Sequence, residues 1–247
     1  MAMEVPAELD NAVWHSLIGP RARLAERRGQ AARFDPGVSV FAALPDDPGP
    51  EAWEDLAALV APGGFTVLFR RTLEIPDGWE ILEQGVGVQM LAGPDLDVTT
   101  TGEAVLEPLG PGDVDEMVAL VAATDPGPFE RRTIEIGGYV GVRAGGRLVA
   151  MAGERLSCAG YTEISAVCTD AGHRGRGLAS LLTRAVAARI RARGEEAYLH
   201  AAAYNTNAIR LYESLGFTTR TTCDYAVVRP VSAGTPPAGD PPAPHAR

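Results

Sequence analysis

The chain has 247 residues, 46% of them hydrophobic and 22% charged, and a formal net charge of -10. This is the composition of a soluble globular protein, long enough for one large domain or two small ones. The acidic balance argues against a nucleic-acid partner, and no apolar run reaches the roughly 18 residues of a membrane span.

Two helical patterns come first, "PAELDNAVWHSLI" and "PRARLAERRGQAARF", split by Gly19 and Pro20. A short strand "VSVFAAL", a turn "PDDPGP", a helix "EAWEDLAALV" and strands "GFTVLFR" and "GVGVQMLAG" follow. Strand, helix, strand in that order predicts a small α/β unit with a right-handed crossover. "AGPDLDVTTTG" is rich in turn formers and places a boundary near Thr101. The second unit opens with the strand "AVLEPL" and the helix "PGDVDEMVALVAAT", whose early proline and acids suit a helix start. An irregular "DPGPFERRTI" leads to a hairpin, "GGYVGVRAGGRLVAMAGERL", and a strand, "TEISAVCT". "GLASLLTRAVAARIRARG" is the clearest helix, with Leu178, Leu181, Leu182, Ala185, Val186 and Ile190 on one stripe and Gly194 as its stop. "AYLHAAAY" is a strand, "NTNAIRLYESLG" a short helix, and "FTTRTTCDYAVVR" one or two final strands. Residues 231–247, rich in Pro, Ala and Gly, have almost nothing to bury and are expected to be disordered.

No lysine occurs, so the protein cannot acylate a lysine of its own. Cys158, Cys168 and Cys223 are odd in number and lack metal-ligand spacing, which predicts a reduced compartment and no metal. The opening "MAMEVPAELDNAVW" is acidic where a secretory signal would be basic, so a cytoplasmic protein is expected.

The chemistry centres on "AGHRGRGLAS", residues 171–180, between a strand and the long helix. Alone it fits equally a solvated basic turn or an anion cradle. Free amides and a positive dipole end gather at a helix start, and Gly175 and Gly177 let backbone approach a ligand. Arg174, Arg176 and Ser180 could add donors. No Gly-Lys-Ser/Thr ending is present, and Gly175-x-Gly177 is followed by Ser180, so the common nucleotide loops do not fit.

The run Arg174-x-x-Gly177-x-Ala179 resembles the Q/R-x-x-G-x-G/A motif of the GNAT acyltransferase superfamily. Asn205-x-x-Ala208-x-x-Leu211-Tyr212, followed by Gly216-Phe217, is similar to that family's later segment, in family order and spacing. The resemblance covers about residues 103–229. It implies an α/β fold with a mixed, mostly antiparallel central sheet, splayed after "TEISAVCT" and flanked by helices. The chain would then divide into a smaller α/β domain at 1–101, a degenerate acyltransferase-like half, and a catalytic domain at 102–230.

The resemblance also implies acetyl-CoA as donor and an amine as acceptor, a small molecule or amino acid, in a monomer or homodimer. Amides of Arg174, Gly175, Arg176, Gly177, Leu178, Ala179 and Ser180 would hold the pyrophosphate. The backbone of Val167, Cys168 and Thr169 would pair with the pantetheine arm. Asn205 would touch that arm or nearby phosphates, with Asn207 serving similarly, and Asn205 is also well explained as a helix N-cap, a role that can coexist with the first. Tyr212 is the candidate acid for the leaving thiolate, with core packing as the other reading of its helical face. Glu163 is the candidate base, with Glu154 or water as alternatives. His200 reads as a structural histidine, and Gln89 and Met90 as possible walls of an acceptor pocket. The competing functional reading is a non-catalytic acyl-CoA-binding regulatory module.

Overall fold

The computed structural model describes residues 5–100 and 104–231. The expected boundary at Thr101 and nearly all of the 231–247 tail lie outside the described residues. A 3-10 turn, Ala7–Asn11, leads into α1 (Ala12–Ile18). Next come β1 (Ala25–Arg28), β2 (Ala31–Phe34), β3 (Ala42–Ala43) and α2 (Pro50–Leu59). Strands β4 (Thr66–Arg70) and β5 (Trp79–Ala92) end the first segment. After the undescribed residues come β6 (Leu106–Leu109), α3 (Val114–Thr124), β7 (Tyr139–Ala144), β8 (Arg147–Cys158) and β9 (Tyr161–Thr169). The chain closes with α4 (Leu178–Ala192), β10 (Glu196–Ala202), α5 (Thr206–Leu215) and β11 (Phe217–Pro230).

The second N-terminal helical pattern is not a helix. Residues 25–34 form the β1/β2 hairpin, turning at Gly29 with φ +46°. The Gln30 amide donates to Asp55 of α2 at 2.8 Å. The alanines that suggested a helix serve another end here: Ala31 and Ala32 are fully buried, in different clusters on the two sides of the hairpin. Tertiary packing outweighs their helix propensity, which is worth only tenths of a kcal/mol per residue.

Eight strands form one sheet, in the order β4-β11-β5-β10-β9-β8-β7-β6, and β1, β2 and β3 form a separate small sheet. The pairs of the large sheet are antiparallel except β9 with β10. The expected crossover is present in outline, since "VSVFAAL" and "GFTVLFR", joined through α2, meet in a parallel bridge at Phe41 and Val67, but the unit is not self-contained, because β4 and β5 join the large sheet without pairing to each other. β5, from the first hundred residues, lies between β10 and β11, and β11 lies between β5 and β4. The two segments exchange strands, and "FTTRTTCDYAVVR" is a single strand with register shifts rather than two.

Alternation along the strands divides the core between the two faces. Ile164, Val140, Leu199 and Met90 point to α4 and α5, whose stripe Leu178, Leu182, Val186 and Ile190 they meet. Cys168, Tyr139 and Met151 point to α3, and Tyr161, Tyr198 and Leu156 to α1. Met90 is thus core rather than a pocket wall. The α1-side face also holds a buried polar seam. Arg155 Nε and NH2 donate to Glu163 at 2.8 and 2.6 Å, and His200 Nδ1 lies 2.8 Å from the same carboxylate. Burial pushes the Glu163 carboxyl up, but the Arg155 charge, its hydrogen bonds and His200 more than reverse this, to about 2.

Two expectations follow for stability. Leu182 is fully buried, so Leu182→Ala should lower the unfolding free energy by about 2–5 kcal/mol in urea titration. Glu163 has a depressed pKa in the folded state, so its contribution is present above the unfolded value and disappears as pH falls through the folded one. The stability gap between wild type and Glu163→Gln should therefore narrow between the ordinary value of 4.5 and about 2. A gap that stays constant over that range would refute the ion-paired state.

Candidate active site

The site begins where two strands part. The parallel register of β9 and β10 runs from Tyr161↔Glu196 to Ile164↔Leu199 and stops there. Both strands continue, to Thr169 and Ala202, without pairing to each other, which leaves the β9 edge facing β10 with no strand partner. A bulge sits just beyond the split: Ser165 faces Gly153 and Cys168 faces Met151, so β9 carries one extra residue. Ala166, in the bulge, has φ +53°. A left-handed non-glycine residue costs about 1–2 kcal/mol and re-aims the backbone at that point.

The residues expected to follow the split are there. Val167 packs toward α4 and α5, whereas Cys168 points to α3 and is buried. Burial pushes the Cys168 thiol up to about 11, which removes it as a nucleophile at neutral pH. Only its backbone faces the cleft edge. Thr169 Oγ1 is buried without a hydrogen-bond partner among the described residues.

Asp170 turns the chain after β9. Its carboxylate accepts from the Gly172 amide at 3.0 Å and meets His173 Nδ1 at 3.0 Å. Arg174 is extended, then Gly175 and Gly177 adopt φ of +76° and +74° on either side of Arg176. A Cβ at either glycine would meet nothing within 4 Å. Backbone conformation, not crowding, is what calls for glycine at both positions.

Alternating left-handed residues turn successive N–H groups into one concavity. The first helical bond of α4 is Leu181 N–H to Gly177 O at 3.0 Å. The amides of residues 175–180 donate to no acceptor among the described residues. Leu178 anchors this end of the helix in the core, with Ala179 and Ser180 half-buried behind it. The arginines are turned onto the loop itself: Arg174 Nε donates to Thr169 O at 3.3 Å and Arg176 NH2 to Gly172 O at 3.4 Å. Each arginine spends one N–H this way and remains exposed, so its charge stands beside the unpaired backbone amides. An open groove of about 730 Å³ runs past them, lined by His173, Arg176, Gly177, Ser180 and Arg184.

Helix α5 brings the second motif to the same face. Asn205 Oδ1 accepts from the Ala208 amide at 3.1 Å, an N-cap, and Asn207 is exposed in the first turn. Gly216 ends the helix at φ +100°. Tyr212 is buried beside Phe217, with ring centroids 6.1 Å apart, in the cluster that holds Ile164, Leu178 and Leu199. Burial, with a smaller effect of Cys168, pushes its hydroxyl up to about 12. The group stays protonated at neutral pH and has no hydrogen-bond partner among the described residues.

Glu163 lies elsewhere. Its side chain projects to the face opposite Tyr212, where Arg155 and His200 occupy it. A buried carboxylate with a pKa of about 2 is a poor acceptor for an ammonium proton. Glu154, the alternative, is also buried and takes both NH groups of Arg193, at 3.0 and 2.9 Å. Neither carboxylate has the environment expected of the base.

The residues missed from the sequence are Arg155 and Arg220 of this seam and the bulge at Ala166, and Gln89, read there as a pocket wall, belongs to the seam instead. One signal for the seam was present in the sequence, a lone Glu inside the apolar strand "TEISAVCT", and the structure, which buries residues 161–164, supplies the cation that such a carboxylate needs.

The described residues contain no His/Cys/Asp/Glu cluster suited to a metal and no helix long and apolar enough to cross a membrane. Residues 139–226 match the family model of FR47-like proteins. No curated protein matches the chain. A protein of Novosphingobium aromaticivorans, assigned to the acetyltransferases of the GNAT family, is 40% identical over 92% of this chain and all of its own, with a TM-score of 0.83. A GCN5-related N-acetyltransferase of Kribbella flavida shares the fold at 21% identity, covering 92% of this chain and 96% of its own with a TM-score of 0.64. A mostly antiparallel sheet that parts at β9 and β10, the glycine loop at the gap and the 40% identity along nearly the whole chain place this protein in the GNAT superfamily.

Proposed function

We propose that the protein is an N-acetyltransferase that moves an acetyl group from acetyl-CoA directly to an amine, on a small molecule or an amino acid. The observation that carries this is the row of unpaired amides from Gly175 to Ser180 at the mouth of the β9/β10 gap. Free amides at a helix start suit a pyrophosphate. The exposed Arg174 and Arg176 add positive charge beside those amides.

The unpaired β9 edge at Val167, Cys168 and Thr169 offers N–H and C=O groups to the amides of an extended pantetheine arm. An amide of this segment would polarise the thioester carbonyl, and the bulge at Ala166 is where the strand is re-aimed to do so. Attack by the amine nitrogen forms the C–N bond as the C–S bond breaks. Tyr212, protonated and without a partner, would donate to the departing sulfur. Glu163 and Glu154 are committed to arginines, so the amine proton would leave through water. Asn205 and Asn207, exposed at the start of α5, flank the arm. Strand exchange between the two segments supports reading the first hundred residues as a degenerate acyltransferase-like half that completes the catalytic sheet.

Release of free thiol from acetyl-CoA against a panel of amines tests this reading. Tight CoA binding with no turnover for any amine would overturn it in favour of a regulatory acyl-CoA-binding module. Gly177→Asp should weaken CoA binding by at least about tenfold in calorimetry, since it sets a carboxylate against phosphate and strains a left-handed position. Gly177→Ala carries the strain alone and should lose less; equal loss in both would remove the electrostatic part of the cradle. Tyr212→Phe should lower kcat by at least about tenfold with CoA affinity nearly intact. Unchanged kcat would leave Tyr212 as a packing residue.

A further inference from the structure

The polar seam under the strand split does more than fill the core. His200 is the first residue of β10 beyond its last paired position, Leu199, and Glu163 is the residue of β9 just before its last paired position, Ile164. The 2.8 Å contact between His200 Nδ1 and Glu163 Oε1 therefore staples the two strands at the point of parting. Arg155 of β8 fixes Glu163 from one side through two donors, and its guanidinium rests over the Phe41 ring, 4.9 Å from the centroid.

The other side of His200 is equally determined. Its Nε2 lies 3.1 Å from Gln89 Nε2 on β5. The Gln89 amide has one possible orientation. Arg220 can only donate, so it meets the amide oxygen, at 2.8 Å. The Leu9 carbonyl can only accept, so it meets the amide nitrogen, at 2.9 Å. Gln89 must then donate its second N–H to His200 Nε2, and the histidine hydrogen must sit on Nδ1, pointing at Glu163. Phe69 and Tyr198 wall the ring edge-on, with centroids 4.5 and 5.5 Å away. Arg220 completes the chain at Asp10, 2.7 Å away in the N-terminal 3-10 turn.

We propose that His200, held between Glu163 and Gln89, is a positioning residue for acyl transfer. The relay sets where β9 and β10 part and ties the Leu9–Asp10 turn of the first segment to that point. It rests on the reading above that the parted β9 edge holds the acyl arm. The relay atoms are occupied by one another, so none is offered as a proton acceptor. Their effect is on geometry: a shift of about 1 Å in the reacting groups costs on the order of a hundredfold in rate.

Three variants test this in the full-length protein. His200→Phe keeps the ring and removes both hydrogen bonds. His200→Asn keeps a donor for Glu163. Gln89→Met breaks the other half and serves if His200→Phe does not fold. His200→Phe and Gln89→Met should lower kcat by about tenfold or more, with KM for acetyl-CoA within about threefold, and His200→Asn should recover most of the loss.

Amide hydrogen exchange supplies a readout that needs no turnover. Exchange at residues 165–169 and at Leu9–Asp10 should accelerate in His200→Phe and Gln89→Met, and return toward wild type in His200→Asn. Folded variants that keep wild-type kcat and wild-type exchange at residues 165–169 would overturn the positioning role and leave the seam as core packing. A wild-type protein that binds acetyl-CoA but acetylates no amine would sink the enzymatic reading instead. The exchange data would still decide whether the relay sets the split.

Discussion

The end of backbone pairing between β9 and β10 at Ile164 and Leu199 is the constraint on which the rest of the site depends. Up to that point the two strands satisfy each other's amides. Beyond it β10 is held from its other side by β5, as far as Ala202↔Gly87, and β9 by β8, as far as Thr169↔Ala150. Each strand is thus pulled toward its own outer neighbour while the pair between them opens. The residues along the gap are mostly half-exposed, so its unpaired backbone groups are open to a partner other than a strand. Under the proposed function, an extended ligand with its own amides would fill the gap, with its negative charge against the loop amides at one end.

Two unlike kinds of electrostatics meet around the gap. On the α4/α5 face the donors are backbone groups and a protonated Tyr212, in an otherwise apolar cluster. On the α1 face a formal charge pair is buried and balanced, Arg155 against Glu163, with the part-exposed pair of Arg220 and Asp10 at its edge. Removing one partner from the Arg155–Glu163 pair leaves an uncompensated charge in a dry place, which is why that pair acts as a fixed point rather than as a reagent. The same contacts with Arg155 and His200 that make Glu163 a poor base make it a good staple. An acyl transfer that places its donor by amides and releases the amine proton to water needs no free carboxylate.

Strand exchange explains why the first hundred residues cannot be set aside as an appendage. β5 supplies the neighbour that holds β10 in place and Gln89 for the relay, while β11 returns to pair with β4. The small β1–β3 sheet and α1 cover the face where Arg155 and Glu163 are buried, so the N-terminal segment also keeps water from that pair.

Much of the site was legible in the chain because its signals are local. Gly175 and Gly177 announce left-handed backbone, the stripe from Leu178 to Ile190 announces the helix whose dipole they cap, and Asn205 and Gly216 bracket α5; each depends on residues within a turn or two. What the chain could not disclose depends on contacts across long separations. The "PRARLAERRGQAARF" pattern became a hairpin because two alanines were needed between packed layers, which no local propensity records. Glu163 looked like a base because a strand carboxylate near a cleft has that appearance until its partners are known. Arg155 is eight residues away, His200 thirty-seven, and Gln89 lies a further 111 from His200. Local sequence determined the loop, its helix and the kind of ligand they suit, because backbone conformation is set by neighbouring residues. Only the tertiary structure decided which carboxylates are spent on arginines and where the sheet opens, because burial and strand pairing are properties of residues far apart in the chain.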